Sequence, residues 1–178
     1  MLREDWQRQT TEYDDYDEED EGYADDDFAR SVAEEVAPFS RRQFPGLAQA
    51  EDHQPNTGQS ERVLSELGAA RVGLVSAARP ADALPALGWN QALVTAVPLA
   101  AVLRSWEDRF GIRVVALSFD QLVLSVAAPP TTQEEAEAVA AEHFAFCPDN
   151  ITQGHHDALR AYARHEVLDQ RVWSFWWD

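Results

Sequence analysis

The chain closes on Arg171-Val172-Trp173-Ser174-Phe175-Trp176-Trp177-Asp178, which holds three of its six tryptophans. Chain ends ordinarily fray and carry small polar residues, so this one must be seated in something. In an extended strand, side chains alternate between faces. Trp173, Phe175 and Trp177 therefore share one side, and Val172, Ser174 and Trp176 take the other. A large aromatic can bury about 150–250 Å². At about 25 cal/mol per Å², hiding three of them offsets several kcal/mol of ordering cost. Left in water on an edge strand they would invite aggregation. The octapeptide is expected to be a sheet strand with Trp173, Phe175 and Trp177 under helices. Trp176 then belongs either to the core or to an interface as an anchor, covered by the N-terminal segment, a second subunit or a partner. Asp178 offers its side-chain carboxylate and, if this end is native, the terminal one, and Arg109 or Arg113 could latch both through a bidentate contact.

Working back from this strand, the clearest helix lies over Pro98 to Phe110. Pro98 suits a first helical position and Gly111 the residue just past the end. Leu99, Val102, Leu103, Trp106 and Phe110 recur on one face. Ile112–Phe119 and Leu122–Ala127 read as two strands joined through Asp120-Gln121. Thr132-Gln133-Glu134-Glu135 is a capping box that starts a helix running to about Cys147, where Pro148 stops it. A further helix is expected from His156 to about His165. Upstream, Ser60–Leu67 reads as a short helix stopped at Gly68, Arg71–Ala78 as an apolar strand, and the Pro80- and Pro85-containing stretch after it as a loop. Strand, helix, strand, strand, helix, extra helix, strand is the βαββαβ order of ferredoxin-like domains. The expected fold is α+β, a four-stranded antiparallel sheet with helices on one face and the extra helix before the last strand, over residues 59–178.

The first 58 residues differ in texture. Glu12 to Asp27 holds 11 of the 32 acidic residues and no basic one. Such a run repels itself and has little apolar surface to offset ordering entropy, so residues 1–58 are expected to be mostly disordered, with a short amphipathic helix at Phe28–Val36. The acidic run is a solubilising tail or, given Tyr13, Tyr16 and Tyr23 among the acids, a docking arm. All fourteen basic residues are Arg, and the net charge is −18; the Arg bias fits a GC-rich genome. A basic stripe for nucleic acid is missing, whereas a basic protein partner would be attracted. One cysteine leaves no internal disulfide framework. With no apolar core near Met1 and no run of roughly 20 apolar residues, a cytoplasmic location away from membranes is expected.

Three segments together, "LRSWEDRFGIRVVALSFDQLVLSVAAPP" (103–130), "HFAFCPDNITQG" (143–154) and the terminal "WSFWWD", resemble a bacterial family, the domain of unknown function family numbered 4253. The resemblance runs from about Leu84 to Asp178. It implies a family but no established activity, and the acidic part resembles the variable upstream region of actinobacterial members, of which this chain is a short member or a fragment.

Chemistry must then be weighed from residues. Cys147-Pro148-Asp149-Asn150 is first a turn, since Pro presets φ and Asp and Asn accept local backbone hydrogen bonds. Its functional reading is a polar pocket of Cys147, Asp149 and Gln153 gripping a small ligand. His143, Cys147, Asp149, His155 and His156 are acceptable zinc ligands by type, but the resemblance does not fix the histidines, so no metal and no cofactor is expected. A Cys147 nucleophile would need a base such as His143 and orientation by Asp149, and His143 falls near the apolar stripe of its helix. Trp106, Gly111, Pro148, Trp173, Phe175 and Trp177 are assigned structural roles. The first reading is a non-enzymatic binding module, immunity- or antitoxin-like in one version, using Trp176, Asp178 or the Cys147–Gln153 pocket. Its partner would be a protein, basic or a second copy. The alternatives are a small-molecule enzyme using Cys147 and Asp149, and a structural subunit that dimerises through the open sheet face.

Overall fold

The computed structural model describes residues 1–11, 24–49, 57–68, 71–89, 96–156 and 158–178. In chain order the elements are α1 (Leu2–Thr11), α2 (Ala24–Glu35), α3 (Thr57–Glu66), a 3₁₀ turn (Pro80–Asp82), α4 (Ala83–Leu87), α5 (Ala96–Phe110), β1 (Arg113–Leu117), β2 (Gln121–Ser125), α6 (Gln133–Phe146), α7 (Asp149–Thr152), α8 (Leu159–Tyr162), a π-helical turn (Ala163–Val167) and β3 (Val172–Trp176). They form two compact units, each assembled from separated stretches: 1–48 with 131–168, and 49–130 with 169–178. This division differs from the 1–58 and 59–178 split suggested by sequence texture.

The first unit is helical and centred on α6. Its capping box forms as expected: Thr132 Oγ1 accepts from the Glu135 N–H, and the Glu135 carboxylate accepts from the Thr132 N–H. Ala136, Val139, Ala140, Ala141, Phe144, Ala145 and Phe146 are all buried. A helix apolar on every side needs neighbours on every side, and α6 packs against both α1 and α8. The fully buried Trp6 of α1 meets Phe144 and Phe44 edge-on, at 5.5 and 5.9 Å between ring centroids. Glu142 is also fully buried, and its Oε1 accepts the Ala48 N–H at 2.8 Å. Most of the acidic run, residues 12–23, lies outside the described residues. Within the rest of the segment expected to be mostly disordered, α1 and α2 are helical and Trp6, Val32, Val36 and Phe44 are buried. The helix expected from His156 begins later, at Leu159, and passes into the π-helical turn.

The second unit carries the sheet. Its order is β1-β2-β3, antiparallel throughout. Leu122 pairs with Phe175 and Leu124 with Trp173, and hydrogen bonds from Trp177 N to Asp120 O (3.0 Å) and Val126 N to Arg171 O (2.9 Å) extend the ladder past both ends. All five residues of the predicted α5 face are buried. Trp106 stacks on Phe175 at 5.5 Å and meets Trp173 edge-on at 5.7 Å, and Phe110 adds a second edge contact to Trp173 at 5.5 Å. The terminal strand therefore lies under a helix with its aromatics inward. Gly111 takes φ +61°, the left-handed conformation that ends the helix without a Cβ penalty. The hairpin turns through Phe119-Asp120, one residue earlier than predicted, closed by Ser118 N donating to Gln121 O at 2.9 Å.

Among the described residues the four-stranded ferredoxin-like sheet is not formed. These residues are mostly helical, with a three-stranded antiparallel sheet. Arg71–Ala78, the expected first strand, pairs with nothing in the sheet, and β3 bonds directly to β2. A short apolar run signals strand tendency without saying what will pair with it; here Gly73 interrupts it, and Val72 and Leu74 remain 94% and 101% exposed. Helices are not confined to one sheet face either. Ser125 points away from Leu122 and Leu124, and its Oγ lies 2.8 Å from Ser60 Oγ of α3, so α3 covers part of the second face.

Candidate functional site

Three places were singled out by sequence or emerge from the fold. In the first unit, α6 ends as expected at Cys147, whose N–H bonds to the His143 carbonyl at 2.8 Å. The thiol points inward and is fully buried. It donates to Asn150 Oδ1 at 3.6 Å, Asn150 Nδ2 donates to the Tyr162 hydroxyl at 3.2 Å, and that hydroxyl lies 3.1 Å from His143 Nδ1. The phenol oxygen accepts from Asn150 Nδ2 and also lies within hydrogen-bond distance of the His143 ring. Burial pushes the Tyr162 phenol well above its ordinary value, keeping it a donor. Cys147 is buried, whereas a nucleophilic sulfur needs access to its substrate. What this chain of groups does is tie α6, α7 and α8 together.

The predicted polar pocket is divided by that packing. Asp149 is half-buried and Gln153 exposed, and Gln153 Nε2 donates to Asp149 Oδ1 at 3.2 Å as a surface pair one helical turn apart. Gly154 has a structural role, since a Cβ there would run into the Asn150 carbonyl. His155 is exposed. His156 Nε2 lies 3.0 Å from Glu166 Oε1, its ring stacks on His165 at 5.2 Å, and it meets Tyr162 edge-on at 6.4 Å. Sequence reasoning missed this cluster; the available signal was the four-residue spacing of Tyr162 and Glu166. Among the described residues, no three His, Cys, Asp or Glu side chains converge as metal ligands would.

The second place is the outer side of β3. Trp176 is half-buried and Asp178 exposed. Trp177 is buried and meets Trp89 edge-on at 5.4 Å, and the Trp89 indole N–H donates to the Ser118 carbonyl at 2.8 Å. Arg109, one candidate for the latch, donates to Ser105 Oγ at 3.2 Å and lies 4.9 Å from the Phe110 ring centroid. Trp176 and Cys147 belong to different units.

The third place is Arg71–Ala78. It runs to Ala77 without helix, turn or bend, and among the described residues its backbone makes no hydrogen bond. It is one part of a wider pattern. Of the eight exposed large hydrophobic residues described, seven lie in the second unit: Leu64, Leu67, Val72, Leu74, Leu87, Val97 and Phe119. Charge is distributed the other way. The first unit holds 22 acidic and 7 basic residues, the second 10 and 7.

Residues 71–178 match the family model described as Domain of unknown function (DUF4253). The chain belongs to this family. No curated protein and no solved structure matches it. The DUF4253 region begins at the exposed Arg71 arm, thirteen residues before the Leu84 boundary read from the motifs, and includes all three strands and helices α4 to α8. In this DUF4253 member Cys147, Asn150 and Ile151 of the first motif and Trp173, Phe175 and Trp177 of the terminal strand are buried, and Trp176 is half-buried. Among the described residues no helix is long and apolar enough to cross a membrane.

Proposed function

We propose that the chain is a protein-binding module whose second unit makes the contact and whose first unit supplies charge. The observation that carries this is the uncovered apolar arm, with Val72 and Leu74 at 94% and 101% exposure. Exposed apolar residues are ordinary when scattered singly. Here, among the described residues, they concentrate in the nearly neutral unit, while the other unit, at net −15, leaves only Leu47 of its described large hydrophobics exposed. Interfaces are depleted of charge at their centres, so a low-charge apolar surface is the better contact. The acidic unit disfavours polyanions and acidic proteins as partners, leaving neutral or basic ones.

A photo-crosslinking residue at Leu74, compared with one at the exposed Glu134 of the first unit, tests this in cells expressing the chain. A discrete adduct from position 74 alone is expected. No adduct there, or the same adducts from both positions, removes the reading.

A further inference from the structure

A helix from outside the DUF4253 region covers a helix inside it. Residues 71–178 match the family model and contain α6, whereas α1 lies upstream of them. α1 packs on α6 through a single stripe: Leu2, Trp6 and Thr10 are buried, while Arg3, Glu4, Gln7 and Arg8 are exposed. The Trp6 ring fills a slot between Phe144 of α6 and Phe44 of the loop after α2, at 5.5 and 5.9 Å between centroids. Arg41 Nη1 fastens the last turn by donating to the Thr10 carbonyl at 3.2 Å. We infer that α1 is a detachable ligand held in cis: it occupies a helix-binding groove on the first unit, and the groove, once vacated, takes another amphipathic helix with the same Leu-x3-Trp-x3-Thr spacing. This surface is distinct from the second-unit contact proposed above and does not depend on it.

Several features mark α1 as docked rather than integral. Asp5 pairs with Arg8 at 3.0 Å, and Thr11 Oγ1 donates to the Gln7 carbonyl at 2.7 Å, so these polar groups are satisfied within the helix itself. The Trp6 indole N–H is fully buried yet has no acceptor among the described residues. A dry, unpaired donor disfavours the docked state, and release returns it to water. At ten residues α1 is shorter than the roughly 12–15 that sustain an isolated helix in water. It therefore folds as it docks, as helices that lay one apolar face into a groove do. Residues 12–23 connect it to α2, which keeps a released α1 near its groove at high local concentration. Arg3 and Arg8 balance Glu4 and Asp5, so a neutral helix meets the acidic unit without the repulsion an acidic one would feel.

The probe is a fluorescein-labelled peptide of residues 1–11, added to the full chain and followed by anisotropy. It should bind the Trp6→Ala chain, whose own α1 has lost its anchor, at concentrations at least about tenfold lower than it needs for wild type, where α1 competes in cis. The same peptide carrying Trp6→Ala should bind neither chain. Hydrogen exchange should show α6 still protected in the Trp6→Ala chain. In the unmutated chain, the α1 amides should exchange through an opening that leaves α6 closed. Loss of α6 protection in the variant, or exchange of α1 only together with α6, makes α1 part of the core and overturns the inference. A folded Trp6→Ala chain that takes no peptide, equal binding by variant and wild-type chains, or equal binding of the two peptides also overturns it. None of these outcomes bears on crosslinking from Leu74, which belongs to the other unit.

Discussion

The two units solve burial in opposite ways. The first wraps a helix that is apolar on most sides and links several of its buried polar groups: Glu142 to the Ala48 amide, Glu137 to Arg160 and Gln133, and Cys147, Asn150, Tyr162 and His143 in series. The second stacks aromatics between one helix and one sheet face, and leaves aliphatic side chains in water on its loops and helix ends. One unit hides its apolar surface behind net charge, and the other displays it. A protein that must remain dispersed while offering a sticky segment gains from keeping these tasks apart, because charge beside the contact would have to be desolvated on binding.

The largest test of this contrast is Trp173→Ala. This ring is 1% exposed between Trp106 and Phe110, and truncating such an aromatic costs about 3–5 kcal/mol. Urea unfolding followed by hydrogen exchange should show the loss concentrated in residues 96–130 and 169–178. Equal loss of protection in α6 would break the description of two separately organised units. In the first unit, Tyr162→Phe deletes one hydroxyl and leaves the His143 and Asn150 groups that met it in a buried site, at a cost of about 1–3 kcal/mol. A variant as stable as wild type would mean that this polar series is not what joins α6 to α8.

Smaller still is Thr132→Ala, expected to cost about 0.5–2 kcal/mol through loss of the α6 cap. The Thr131 amide above all, with Thr132, holds the Glu135 carboxyl below its ordinary value. Its contribution is therefore fully present above the unfolded carboxyl's pKa and is lost as pH falls through the folded one. Wild-type and Glu135→Gln stabilities should converge on acidification, which chemical denaturation at a series of pH values would measure. Smallest of all is the Val72→Asp, Leu74→Asp pair, expected to shift stability by no more than about 0.5 kcal/mol because the sites are solvent-exposed. A large loss would place these residues in the core and remove the contrast between the units.

Much of the second unit was legible in the sequence. The α5 stripe, the Gly111 stop, the hairpin and the alternation of β3 each follow from a local period or a single special residue. Arg71–Ala78 was misread because strand propensity reports a residue's fit to a pleated surface, and whether a neighbouring strand is available is a property of the whole fold. Trp6 was missed for the mirror-image reason. A lone tryptophan beside an acidic run looks solvated, and only Phe44 and Phe144, 38 and 138 residues further along the chain, give it a place to go. In the candidate site, the turn at Cys147 was visible from Pro148, but the direction of the thiol was not. Tyr162 and Asn150 reach it from other helices.

By itself, the sequence determined which segments prefer helix or strand, where they stop and which face of the terminal strand is apolar, because these depend on neighbours within a turn or two of chain. Only the tertiary structure decided that β3 would bond to β2, that the acidic N-terminal region would yield a buried tryptophan, and that the first apolar segment would stand in solvent. Those outcomes rest on contacts between residues far apart in the chain, whose closure entropy is offset only when the whole set forms together.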